Sequence, residues 1–158
     1  MINGLILGTL FSVNFLMSAS GLAVMSLLSL LLMVVIVVVM YKLVVKFRDT
    51  ESNAVISYRV SFSYILLSFF FASLISSAVK FIFFKYIQPD YLEQAMAQSY
   101  QLLETMKMPN MEEALEQMDN MMKPANMALQ FIWLNTFMGM IVALVMSAFV
   151  KKEKSIFE

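Results

Sequence analysis

The residues able to do chemistry in this 158-residue chain are few in kind. It has no cysteine and no histidine, which removes thiolate nucleophiles, imidazole bases, disulfides and the usual zinc ligand sets. The densest remaining cluster is "PNMEEALEQMDNMM", residues 109–122, with four methionines and four carboxylates. Two chemistries could use it. Thioethers are soft ligands that favour copper(I), and Met118 with Met121 or Met122 could share a side. Carboxylate pairs can serve as general acid and base. The spacing argues against both. Met111, Leu115, Met118 and Met122 recur at helical steps and form one apolar face, where methionine is an ordinary flexible filler. Glu112, Glu113, Glu116, Asp119 and Asn120 fall largely off that stripe, as a solvated face does. Serines and tyrosines are plentiful, but no base or oxyanion arrangement accompanies them. The expectation is a protein that is not an enzyme and holds no cofactor or metal.

Four other polar side chains stand out because apolar sequence surrounds or borders them. Lys80 interrupts the run from Val60 to Phe84, and Lys85 closes it. A lysine at a bilayer centre costs about 2.5–3.5 kcal/mol on insertion scales, and near a helix end it can snorkel to the interface for less. Snorkelling is the plain reading of Lys80; contact with a lipid phosphate, shared with Lys85, is the functional one. Asn14 and Asn135 lie within apolar runs. Interhelical hydrogen bonding, worth about 0.6–2 kcal/mol each, explains them without a transport path. No acidic residue falls inside any apolar run, which argues against a proton relay.

These residues must be positioned by helices in lipid. Apolar residues make up 61% of the chain and charged ones 14%, against roughly 45–50% and about 25% in globular domains. A helix of about 20 apolar residues crosses the hydrocarbon core. Four runs qualify, at about residues 2–17, 22–41, 60–84 and 125–150. The first two are separated by "SASG", Ser18 to Gly21, where small residues turn the chain. The valine-rich run "VVIVVVM" would favour strand in water. In lipid the backbone must satisfy its own hydrogen bonds, and helix wins. The first run lacks the basic start and cleavage site of a secretory signal and is expected to be retained. Residues 42–59 read as a polar loop. The fold class is therefore an all-α membrane protein, one domain of four spans, with a helical segment at about 88–123 between spans three and four.

Charge sorts the two sides. The loop after span two and the tail after span four hold seven of the eleven lysines and arginines, while residues 88–123 hold seven of the eleven acids. The positive-inside rule then puts both termini in the cytoplasm and residues 88–123 outside. That outer segment has two capping-box-like pairs, Asp90 with Glu93 and Asn110 with Glu113, each preceded by proline. They signal helices at about 91–106 and 111–122, hinged at "KMPN", with Leu92, Ala95, Met96, Ser99, Leu102 or Leu103, and Met106 on the apolar face of the first. Together they would form a helical hairpin. Its stripe, Met111, Leu115, Met118 and Met122, is a candidate contact with a partner or with lipid.

Inside the spans, small residues recur every four positions: Gly4, Gly8 and Ser12; then Ser68, Ala72 and Ser76; then Asn135, Gly139, Ala143 and Ser147. Such rows let helix backbones approach closely. They imply tight packing within the chain or between copies.

With the spans in place, "KFRDTESNAVISYRVSFSYILLSFFFASLISS", then "FKYIQPDYLE", then "NMEEALEQMDNM", then a last span closed by lysines resembles the domain-of-unknown-function family 4199. The most specific parts of the likeness are the Arg48-Asp49 pair, the re-entry at Ile56 to Tyr58 and Pro89-Asp90. Many relatives carry glycines just before the re-entry, where this chain has Asn53, Ala54 and Val55. The resemblance implies a small four-span protein of a bacterial inner membrane, mainly of Bacteroidota, and brings no catalytic or binding residues. It also implies a neighbourhood of polyprenyl-phosphate glycosyltransferases, hence a link to lipid-linked glycan assembly.

The sequence reading is a membrane accessory or scaffold protein that contacts lipid and a membrane protein partner or its own copies, and no nucleic acid. The alternative is a small transporter or lipid-carrier flipping helper. A cysteine introduced at Ser99 is expected to react with an impermeant thiol reagent from outside the cell, and one at Ser52 only after permeabilisation; the opposite pattern inverts the topology.

Overall fold

The computed structural model describes residues 2–52, 55–106 and 111–152, without the side chains of residues 95, 102–104, 106 and 111. Six helices follow one another: α1 (Ile2–Ala19), α2 (Ala23–Glu51), α3 (Tyr58–Ile82) continued by a π-helical turn (Phe83–Ile87), α4 (Asp90–Met106), α5 (Met111–Met122) and α6 (Pro124–Val150). The all-α expectation holds. Four helices are long and apolar enough to cross a bilayer: α1, α2, α3 with its π turn, and α6. The turn between α1 and α2 falls at Ser20 to Leu22, and Gly21 takes the left-handed φ of 71° that suits a residue without a Cβ. Among the described residues, the polar loop expected at 42–59 is shorter than the sequence suggested. α2 runs on to Glu51 because Leu43, Val44 and Phe47 continue its apolar spacing, and Val44 is fully buried. The hinge at 107–110 and the Asn110 cap lie outside the described residues.

The chain forms two compact units. Unit 1 comprises residues 1–76 and 132–158, and unit 2 residues 77–131. In unit 1 the small-residue rows bring backbones together. A Cβ added at Gly4 would lie 2.8 Å from the Phe71 Cβ and 3.6 Å from the Ser68 carbonyl oxygen, with the Ala72 nitrogen next. One added at Gly8 would lie 2.8 Å from the Ile75 Cβ. One added at Gly139 would overlap the Phe69 side chain. So α1 and α6 both use glycine to close on α3. Ala72 and Ala143 are fully buried, and Leu7, Met40, Ile65, Phe69, Met146 and Val150 complete the core.

Several polar atoms in this core are satisfied within or between helices. Ser12 donates to the Gly8 carbonyl at 2.8 Å, Ser68 to Tyr64 at 2.8 Å and Ser73 to Phe70 at 2.7 Å. Asn14 Nδ2 crosses from α1 to the Ser29 carbonyl at 2.6 Å, and Ser18 Oγ meets Ser29 Oγ at 3.0 Å. Asn3 is hydrogen-bonded to the Tyr64 hydroxyl, and that ring stacks on Phe47 with centroids 4.2 Å apart. Asn135 Nδ2 and the hydroxyls of Ser61, Ser76 and Ser147 are buried with no partner among the described residues.

The end of α6 is tied down by three separate groups. Arg48 Nη1 donates to the Val150 carbonyl at 3.3 Å while its Nε bonds Asp49 at 2.8 Å. Ile56 and Lys152 exchange both backbone hydrogen bonds as a short antiparallel pair. Tyr58 donates to the Leu144 carbonyl at 3.1 Å. Of the three, the Arg48 bond reaches a terminal carbonyl, which has no partner within the helix. The Arg48-Asp49 pair thus acts as a C-cap for α6.

Gly139→Ala forces Phe69 to move and is expected to destabilise unit 1 by about 1–3 kcal/mol, the usual range for overpacking. Thermal unfolding in detergent measures it. Gly139→Ala melting with the wild type would mean that α3 and α6 do not pack this closely.

Candidate functional site

The residues singled out at the polar end of span three, together with those of α4 and α5, fall in unit 2, and their placement follows from a local break in the helix. Pro89 has no N–H and forces the preceding residue out of helical geometry; Gln88 has φ −143° and ψ 68°. Its N–H bonds the Phe83 carbonyl at 2.9 Å, five residues back, which closes the π turn. Turns of this kind recur at functional sites. α4 then starts at Asp90 itself, with Asp90 and Glu93 in its first turn, where the positive end of the helix dipole favours carboxylates.

The π turn places Phe83 and Phe84 inward, both buried. Phe84 stacks on Phe131 at 6.3 Å and tilts against Tyr91 at 5.8 Å, and Phe83 meets Tyr91 edge-on at 6.3 Å. Lys80 lies against this cluster. It is 7% exposed, with Nζ 3.8 Å from the centre of the Phe131 ring. The side chain is thus covered by protein. A cation over an aromatic face gains about 2 kcal/mol or more when desolvated, which offsets much of the cost of removing it from water. Lys85, five residues on, is exposed and lies 5.2 Å from the Tyr86 ring and 5.4 Å from the Phe81 ring.

α4 and α5 pack on one another. On α4 the buried side is Leu92, with Met96, Ser99 and Tyr100 half-buried. On α5 Leu115, Met118 and Met122 are half-buried, whereas Glu112, Glu113, Glu116, Asp119 and Met121 are exposed. The two faces of α5 therefore separate by residue type, with the carboxylates outward. The side chain of Met111 lies outside the described residues. Met122 also lines a pocket of 280 Å³ bordered by Lys85, Leu92, Met96 and Lys123. Lys123 Nζ donates to Asn120 Oδ1 at 2.6 Å, and Asn126 and Gln130 donate to the carbonyls of Asn120 and Met121 at 2.6 and 3.1 Å. The bonds from Asn126 and Gln130 satisfy late carbonyls of α5 across the tight step into α6.

With this geometry in view, the comparison with protein families decides the affiliation. The pattern of a family described as "Protein of unknown function (DUF4199)" matches residues 2–152. The chain belongs to that family. Comparisons with curated proteins and with solved structures found no significant match. The match covers α1 through α6, so the helices that carry the aromatic cluster, the pocket and the acidic face all lie within the family's shared region. Family membership assigns none of them a role.

The structure brings Lys80, Lys85, Leu115, Met118 and Met122 into unit 2, and Gly4, Gly8, Ser68, Ala72, Asn135, Gly139 and Ala143 into unit 1, with Ser76 at its edge. The small-residue positions do not form a site; they are where backbones meet. Phe131, Asp119 and Lys123 were missed as neighbours of the candidate residues. Nothing in a single sequence pairs Lys80 with a ring 51 positions away, and Lys123 read only as the end of a polar segment.

Leu115→Ala is expected to destabilise the α4-α5 pair by about 1–2 kcal/mol, less than the ~2–5 kcal/mol of a fully buried leucine. Glu116→Ala, on the exposed face, should stay within about 0.5 kcal/mol. Hydrogen exchange of α5 amides reports both, and equal effects would contradict the assignment of faces.

Proposed function

We propose that this is a non-enzymatic accessory or scaffold protein of a bacterial cytoplasmic membrane. Both termini face the cytoplasm, and the α4-α5 pair stands outside as a hairpin presented to a membrane protein partner. The observation that carries the reading is the exposed face of α5, Glu112, Glu113, Glu116 and Asp119 with Met121 59% exposed among them. Carboxylates spread over an exposed helix surface lack the enclosed setting that acid-base chemistry needs. They suit electrostatic recognition of a basic surface, with Met121 as an adaptable apolar contact.

The alternative, a transporter or lipid-carrier flipping helper tied to polyprenyl-phosphate glycan assembly, asks for a groove reaching Lys80. Lys80 is covered by Phe131 instead, which supports the accessory role over it. Sorting of basic residues to the opposite ends of the spans supports the orientation.

A photo-crosslinking amino acid at Met121, used in native membranes, is expected to give a discrete, reproducible adduct that Glu112→Lys with Glu116→Lys abolishes. An adduct of twice the protein's own mass places the contact between copies and keeps the presenting role. A strictly monomeric protein with no adduct overturns it.

A further inference from the structure

The pocket in unit 2 has the chemistry of an amphiphile site. Phe84, Leu92, Met96 and Met122 supply an apolar lining, and Lys85 and Lys123 supply two cationic groups. Neither lysine is paired with a carboxylate among the described residues. Lys123 uses one N–H on Asn120, and an ammonium has three. Pro124, the first residue of α6, also lines the pocket, and that helix has no acid in its first turn. The anion-holding groups of the pocket are thus the two lysine side chains, as charge-assisted donors to a phosphate.

The position of the pocket along the chain says where such an anion would come from. Phe84 and Lys85 stand near the end of the third candidate span, Tyr58–Ile87, and Pro124 opens the fourth, Pro124–Val150. Residues at the ends of spans lie at the level of lipid head groups. Ile82, Tyr86 and Ile87, on the same helix end, are 50–67% exposed, which leaves apolar surface for acyl chains. A volume of 280 Å³ sits just under the usual range of about 300–1,000 Å³ for small-molecule pockets. It admits a head group and the first methylenes, with the chains running outside.

One carboxylate completes the lining: Asp119. Two lysines and one aspartate leave a net charge of +1, which matches a lipid of net charge −1. An acidic side chain beside the cations would accept a hydrogen bond from a head-group hydroxyl. We propose that this pocket holds an anionic phospholipid of the surrounding leaflet with an uncharged, hydroxylated head group, its phosphate held by Lys85 and Lys123. The proposal is independent of the partner reading above and involves no transport.

Native mass spectrometry of the full chain, released from nanodiscs of phosphatidylglycerol, phosphatidylethanolamine or phosphatidylcholine, tests it. The wild type is expected to retain one phosphatidylglycerol and to lose it about tenfold more readily for each lysine removed, the effect of one charge-assisted hydrogen bond. Lys85→Gln and Lys123→Gln remove them; Lys42→Gln serves as the control and should change nothing. Inorganic phosphate at millimolar concentration should not displace the lipid; if it does, the site is for free phosphate and the lipid assignment fails. Equal retention by the wild type and the double variant overturns the proposal, as does equal retention of all three lipids. Arginine at the same two positions keeps the charge and should restore retention, which separates loss of binding from loss of folding. The Met121 crosslink should persist in Lys85→Gln with Lys123→Gln, which separates the two readings.

Discussion

A peptide group in hydrocarbon has no water to bond with, so each N–H and C=O must find its partner inside the protein. Nearly everything in this chain follows from that constraint. It turns the valine-rich stretch of α2 into helix, although β-branched residues favour strands in water. It concentrates the non-helical backbone at a few short connections. It also explains why Arg48 donates to the Val150 carbonyl: the last carbonyls of a long apolar helix need donors where the apolar run stops.

The same constraint shapes side-chain polarity. Ser12, Ser29, Ser68 and Ser73 each donate to a carbonyl of their own helix, and Asn14 reaches a carbonyl of the next. Small residues then serve packing, because helices in lipid gain nothing from excluding water between them and depend on close contact. Gly4, Gly8 and Gly139 are each placed where a side chain would collide with α3. The exposed apolar residues of α2 and α6, such as Leu30, Val34, Trp133 and Phe137, are what a lipid-facing surface requires, whereas a protein in water would bury them.

The helices and their order were legible because long uncharged runs have one solution in lipid, and because Gly21 and Pro89 break the chain for reasons local to themselves. The boundary of α2 was not, since Lys42, Lys46 and Arg48 read as loop although Leu43, Val44 and Phe47 carry the helix on. On α5 the alternation of methionines and carboxylates tells the two faces apart in the sequence itself. What the stripe packs against depends on α4 and could not be read. Lys80 shows the limit most clearly. Its cost in an apolar helix was plain, but its compensation comes from Phe131, far along the chain, and only tertiary structure pairs them. The pocket combines Lys85, Asp119 and Lys123 in the same way.

Membership of a family of unknown function leaves the role to be argued from surfaces, and each surface leads back to the claim that α1, α2, α3 and α6 lie in a bilayer. Spin labels in lipid vesicles test that claim most directly. Labels at Leu30 and Phe137 should collide with dissolved oxygen far more than with a water-soluble nickel chelate, and labels at Glu112 and Glu116 should do the reverse. Free access of the nickel chelate to positions 30 and 137 would contradict the account.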